Sequence, residues 1–131
     1  MNGGLTQALA VAGGAALGGV LRWRVGLWLN TAGSLLPLGT LMVNCLGGLL
    51  MGLALALLPR DHDDFWRLLL MTGVLGGFTT FSAFSGESLL LLQRGHFGMA
   101  ALHTGAHVLG ALVCVAAGFA AGEWLLESGV L

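Results

Sequence analysis

The stretch 38–58 carries no charged side chain and a single amide, Asn44. As a helix it reaches about 31 Å at ~1.5 Å per residue, which matches a bilayer hydrocarbon core of ~30 Å. Stretches 5–21, 68–86 and 97–122 are also free of Asp, Glu, Lys and Arg. Runs of this length without charge are long enough to cross a bilayer as helices. The residues therefore predict an all-α integral membrane protein, one domain of four transmembrane helices at about 5–29, 38–58, 66–93 and 97–124. Composition agrees: 56% of residues are hydrophobic and 8% charged, against roughly 45–50% and 25% in soluble domains.

The connections read as interfaces. Arg22-Trp23-Arg24 ends the first uncharged run, and Trp beside Arg is an interfacial anchor. Pro59-Arg60-Asp61-His62-Asp63-Asp64 is a polar turn, Arg94-Gly95-His96 is another, and Glu123, Trp124 and Glu127 close the chain. The five Arg are scattered and form no basic patch, so nucleic acid is not an expected partner. Cys45 and Cys114 lie in apolar spans without metal-ligand spacing and read as small core residues. No cation precedes Arg22, so the first run lacks a secretory n-region and reads as a retained span.

Two patterns bear on assembly. Gly14 with Gly18, Gly48 with Gly52, Gly73 with Gly77 and Gly118 with Gly122 have small-xxx-small spacing, which lets helix backbones approach closely. Four spans also put Arg60 and Arg67 on one side and Arg22, Arg24 and Arg94 on the other. So small a bias barely selects an orientation. The expectation is dual topology, with the chain inserting both ways and pairing as an antiparallel homodimer.

The third span is unlike the others. Thr72-Gly73-Val74-Leu75-Gly76-Gly77-Phe78-Thr79-Thr80-Phe81-Ser82-Ala83-Phe84-Ser85 has three glycines and two adjacent threonines where a plain span would have leucine. Both residue types form helix poorly, so a mid-membrane break near Gly76 to Thr80 is expected. Broken helices at membrane depth mark ion and substrate sites, because only protein or a polar cavity can satisfy the freed backbone.

Polar side chains elsewhere in the spans are few. Thr40 and Asn44 stand four apart and share a helix face. Taken alone, Asn44 reads first as interhelical hydrogen-bond glue and second as a pathway amide. Ser82 and Ser85 repeat the offset of Phe81 and Phe84, giving a polar and aromatic surface. His103 and His107 are also four apart, a possible metal pair. With no third ligand near in sequence, a hydrogen-bonding track is the preferred reading. Glu87, one residue beyond Gly86, reads as a vestibule carboxylate. No nucleophile–base set and no phosphate loop is present, so catalysis is not expected.

Three motifs carry a resemblance: Gly18-Gly19-Val20-Leu21-Arg22-Trp23, Gly39-Thr40-Leu41-Met42-Val43-Asn44, and 72–87 ending in Phe81-Ser82-Ala83-Phe84-Ser85-Gly86-Glu87. Their order and spacing resemble the Fluc/CrcB fluoride channels of bacteria. The resemblance implies a multi-pass protein of the bacterial cell membrane, an antiparallel homodimer with two pores and passive export of fluoride. It implies a structural, unconducted Na⁺ held by the main-chain carbonyls of Gly76 and Thr79. Asn44 would donate to fluoride, Phe81 and Phe84 would offer ring edges, and Thr40, Ser82, Ser85, His103 and His107 would line the track. Arg22 and Glu87 would belong to the vestibule. Ala83 stands where many members have Thr, which removes one hydroxyl. The physics is compatible: a strongly hydrated small anion needs close neutral donors and weak enough binding to leave.

Two rivals deserve a test against the same residues. A small multidrug exporter also has four spans, but its proton coupling needs a carboxylate in the first, and 5–21 has none. A non-conducting assembly subunit would use Asn44 and the glycines for packing only.

Overall fold

The computed structural model describes residues 2–58 and 64–130, and these are all helix and short connection, with no strand among them. Helix α1 runs Asn2–Leu29 and α2 runs Leu38–Leu57. The third span is built in pieces: α3 at Asp64–Arg67, a π-helical segment at Leu68–Leu75, α4 at Gly76–Phe78 and α5 at Phe81–Gln93. Helix α6 runs Phe97–Glu127. Four spans are long and apolar enough to cross a membrane, as the sequence predicts. Arg60 and the rest of the polar turn at 59–63 lie outside the described residues.

The helix ends follow local chemistry. Helix α1 continues through Arg22 and Arg24 to Leu29, and the side chain of Asn30 then accepts the backbone N–H of Gly39 at 2.8 Å, satisfying an open donor at the start of α2. The chain leaves α5 through Gly95 at φ 76°. His96 N donates to Leu91 O at 2.9 Å and Gly95 N to Leu92 O at 3.0 Å, the paired bonds of a Schellman ending. Trp23 and Trp28 near the end of α1, and Trp66 and Trp124 at the opposite ends of their spans, stand exposed. That makes one aromatic belt at each interface.

Packing uses the four glycine pairs as two couples. An added Cβ at Gly14 would meet Gly73 Cα at 2.9 Å, and one at Gly77 would meet Ala15 Cα at 2.9 Å, so α1 lies directly on the third span. A Cβ at Gly48 would meet Ala111 O at 2.9 Å, and one at Gly118 would meet Leu53 N at 3.1 Å, so α2 lies directly on α6. Lipid offers no hydrophobic drive between helices, and close backbone approach supplies the contact instead.

The interruption falls at the far end of the 76–80 stretch where the sequence predicts it. Gly76, Gly77 and Phe78 are in fact helical, and the extended residues are Thr79 (φ −84°, ψ 159°) and Thr80 (φ −150°, ψ 121°). Gly73 and Gly77 serve the contact with α1, and the β-branched pair carries the extended backbone it favours. The π-helical turns before it were not foreseen. The redirection matters: α4 and the π segment pack on α1, whereas α5 packs on α6 and α2.

Candidate functional site

Where α5 parts from α1 a cavity of about 370 Å³ opens, lined by Arg22, Thr40, Thr80, Ala83 and Glu87 among others. A second cavity of about 380 Å³ lies between α2, the interruption and α6, lined by Asn44, Thr79, Thr80, Phe81, Phe84 and His107 with apolar neighbours. Thr80 borders both. The buried polar side chains Thr40, Asn44, Thr80, His103 and His107 fall together at this place.

Asn44 is the hub. Its Oδ1 accepts the N–H of Thr80 at 2.8 Å, and its Nδ2 donates to the Thr80 carbonyl at 2.9 Å. These two bonds fix the orientation of the amide, since a flipped Asn44 would set donor against donor and acceptor against acceptor. The remaining Nδ2 hydrogen points at His107 Nδ1, 2.9 Å away. Nδ1 must therefore accept, and in neutral His107 the hydrogen sits on Nε2. His107 Nε2 is buried and has no hydrogen-bond partner among the described residues.

A polar file extends from there. Thr40 Oγ1 donates to Glu87 Oε1 at 2.7 Å, and Glu87 Oε2 lies 3.2 Å from His103 Nε2. That close pair is not aligned as a hydrogen bond. The rings of His103 and His107 are 4.5 Å apart, edge to face. Phe84 stacks on His107 at 4.8 Å and 13°, and Phe81 meets Phe84 edge-on at 4.8 Å and 83°. Phe84 is buried, while Phe81 is 76% exposed and faces out of the chain. Among the described residues no Lys or Arg enters this file; Arg22 stays at the rim of the first cavity.

The predicted residues are thus mostly brought together, with two exceptions. Ser85 turns its hydroxyl back onto Phe81 O at 2.8 Å, and Ser82, which is exposed, reaches only Thr80 Oγ1 at 3.3 Å. Asn44 holds Thr80 and His107 with both amide hydrogens. The sequence places Thr80 at the edge of the break and does not mark it as a site residue. Its Oγ1 accepts from Ala83 N at 3.1 Å and caps α5, a role its place directly before a resumed apolar helix could have signalled.

The interruption opens the carbonyls at the end of α4 and that of Thr79, and the pair the resemblance implies, Gly76 and Thr79, is among them. In an unbroken helix Thr80 N–H would pair with Gly76 O and Ala83 N–H with Thr79 O. Here Thr80 N–H goes to Asn44 Oδ1 and Ala83 N–H to Thr80 Oγ1. The carbonyls of Gly76 and Thr79 lose those partners. Hard oxygens of this kind suit a hard cation.

Residues 9–119 match the family model described as "CrcB-like protein, Camphor Resistance (CrcB)". The chain is 52% identical over 119 residues to the fluoride-specific ion channel FluC of Aromatoleum aromaticum, covering 89% of this chain and 91% of that one. It is 46% identical over 120 residues to the protein of that name from Pseudomonas aeruginosa (90% and 94% covered). The corresponding protein of Nitrosomonas europaea is 43% identical over 122 residues (92% and 96%).

Proposed function

The chain belongs to the CrcB family, and we propose from that premise that it is a fluoride-specific ion channel of the bacterial cell membrane. It passes fluoride passively, so that a negative interior drives the anion out without fuel. The observation that carries this reading within the chain is the file from Thr40 to Phe81: hydroxyl and amide groups, two imidazoles and ring edges, with the Glu87 carboxylate held by Thr40 and His103 at one end and, among the described residues, no fixed cation to trap an anion. A selective path must replace water around fluoride and still release it, and neutral donors satisfy both demands. Ring hydrogens of Phe81 and Phe84 present the electropositive rim of the aromatic quadrupole. Family membership removes the multidrug-exporter alternative, which the absence of a carboxylate in 5–21 already disfavoured.

Within this reading Asn44 serves fluoride in two ways. It aims the Nε2 hydrogen of His107 into the file by accepting no hydrogen from that ring. It donates directly only when one of its two amide hydrogens leaves Thr80 or His107.

The working unit we infer is an antiparallel homodimer with the interruption of the third span at mid-membrane depth. Its support is the near-balanced Arg distribution and the exposure of Phe81, a ring that one chain alone leaves open. The carbonyls of Gly76 and Thr79, released from helical pairing, would hold a structural Na⁺ between two copies. That ion would supply fixed positive charge away from the conducting file.

Reconstitution tests the function. Liposomes loaded with fluoride and read by a fluoride electrode should empty when a potential is set with an ionophore, and chloride-loaded liposomes should not. Fluoride retained under a potential would refute the channel. Retention only after Na⁺ is replaced would support the structural cation.

A further inference from the structure

His103 and His107 lie on α6 and Glu87 on α5, and one ligand atom from each falls within 4.8 Å of the others. The two imidazoles are 3% and 2% exposed. Glu87 Oε2, His103 Nε2 and His107 Nε2 are all buried, and none has a hydrogen-bond partner among the described residues. Glu87 Oε2 and His103 Nε2 pair at 3.2 Å without hydrogen-bond alignment, His107 Nε2 is left open, and a shared ligand would satisfy all three. Glu87 thus supplies the third ligand that the spacing of the two histidines lacked in sequence.

We propose that Glu87, His103 and His107 bind a divalent transition-metal cation of the Zn²⁺ class, and that the bound metal stops conduction. Two imidazole nitrogens and one carboxylate oxygen favour Zn²⁺, Co²⁺, Ni²⁺ or Cu²⁺ over Mg²⁺ and Ca²⁺, which take oxygen. Three protein ligands leave a fourth position for water or a halide. Thr40 holds the other carboxylate oxygen at 2.7 Å and so orients Oε2, the outer contact a ligating carboxylate needs. Entry is through the first cavity, which Glu87 lines.

The tautomer of His107 makes the metal an inhibitor. Ligation through Nε2 needs that nitrogen bare, so the hydrogen moves by way of water to Nδ1. Nδ1–H then faces the Asn44 N–H that it formerly accepted. Metal and the Asn44–His107 bond exclude each other, and the hub of the file is lost when metal binds. Replacing Asn44 by Asp reverses the sign: a carboxylate accepts Nδ1–H and forms the carboxylate–histidine–metal arrangement. The metal site stands apart from the proposed fluoride function; only its inhibitory effect rests on that reading.

The experiment uses untagged, chelator-stripped protein in detergent, titrated with Co²⁺ and followed by visible absorption, with Zn²⁺ competition. One Co²⁺ per chain with a tetrahedral-type band is expected. Glu87→Gln and His103→Ala should weaken binding roughly tenfold or more, Thr40→Val about 10–100-fold, and Asn44→Asp should tighten it. His96→Ala, on an exposed turn, should bind as the parent does. Equal binding by the parent, Glu87→Gln and His103→Ala overturns the site, as does the absence of saturable binding in the folded parent. In fluoride-loaded liposomes Zn²⁺ should slow efflux and a chelator restore it; efflux indifferent to a bound metal overturns the inhibition. Liposomes that never release fluoride would refute the channel reading, while the Co²⁺ band would still report on the site.

Discussion

Asn44 and Thr80 exchange two hydrogen bonds, one in each direction, at 2.8 and 2.9 Å. A side-chain amide thereby takes the part of a strand neighbour and stabilises two extended residues among helices. Each buried group left without its partner costs about 1–3 kcal/mol, so the clasp contributes strongly to the interruption.

Asn44→Asp should therefore do more than add charge. The carboxylate still accepts from Thr80 N, but it sets an acceptor against Thr80 O and, in the present tautomer, against His107 Nδ1. We expect fluoride efflux to fall at least roughly tenfold, the equivalent of about 1.4 kcal/mol. Efflux equal to that of the parent would show that the conducting ion is indifferent to this clasp.

Thr80 can be tested separately for its capping role. Thr80→Val removes the acceptor for Ala83 N and should cost ~1 kcal/mol, within the usual 0.5–2 for a lost cap. Thr80→Ser keeps the oxygen and should retain most of the stability. The comparison is of thermal unfolding midpoints in one detergent, and similar midpoints for the two variants would contradict the cap.

The aromatic pair separates packing from conduction. Phe81 is exposed and Phe84 is buried against His107, so Phe81→Ile should leave folding of the single chain intact. It should still impair efflux, because an aliphatic side chain has no electropositive rim. Phe84→Ile should lower both stability and efflux. Unimpaired efflux in both variants would remove the rings from the ion's path.

The glycines make a third contrast. A Cβ at Gly52 runs into the α6 backbone at Val115 O and Phe119 N, whereas one at Gly86 meets nothing within 4 Å. Gly52→Ala should destabilise by about 1–3 kcal/mol, the range for overpacking. Gly86→Ala should be neutral or stabilise by up to about 1 kcal/mol through helix propensity. A lower unfolding midpoint for Gly86→Ala than for Gly52→Ala would contradict the packing described above.

Much of this was legible in the residues because the bilayer permits so few solutions. Uncharged runs fixed four helices, and Thr40 with Asn44 on one face of α2 became a buried pair, as four-residue spacing requires. The glycine pairs could be seen one by one but not matched, since which helix lies on which is decided by packing across 50 residues or more. Glu87 could not be joined to His103 and His107 because the turn between α5 and α6 leaves open which faces of the two helices meet. The π-helical turns left no mark in composition, and the threonines, not the glycines, hold the extended backbone. The clasp of Thr80 by Asn44 was not legible because it uses main-chain atoms, which every residue shares, whereas its capping hydroxyl was open to reading from its place before α5.

Gly76 offers the sharpest separation of what one chain does from what two do. Its backbone is ordinary helix (φ −63°, ψ −37°), and an added Cβ meets only Met71 O, at 3.6 Å, an ordinary contact. Gly77, its neighbour, has Ala15 Cα at 2.9 Å from any Cβ. Gly77→Val should thus break the packing of α1 on the third span and lower the yield of folded protein. Gly76→Val should fold as a single chain, since among the described residues its Cβ makes only that ordinary contact. Any loss of Na⁺ dependence or of dimer in that variant must then arise where the Gly76 carbonyl meets something outside its own chain. The measurement is efflux with Na⁺ and with an organic cation in its place, alongside mass by light scattering. Parent-like Na⁺ dependence and mass in Gly76→Val would move the cation elsewhere, because a branched side chain at a carbonyl ligand shared between two copies has no room to be silent.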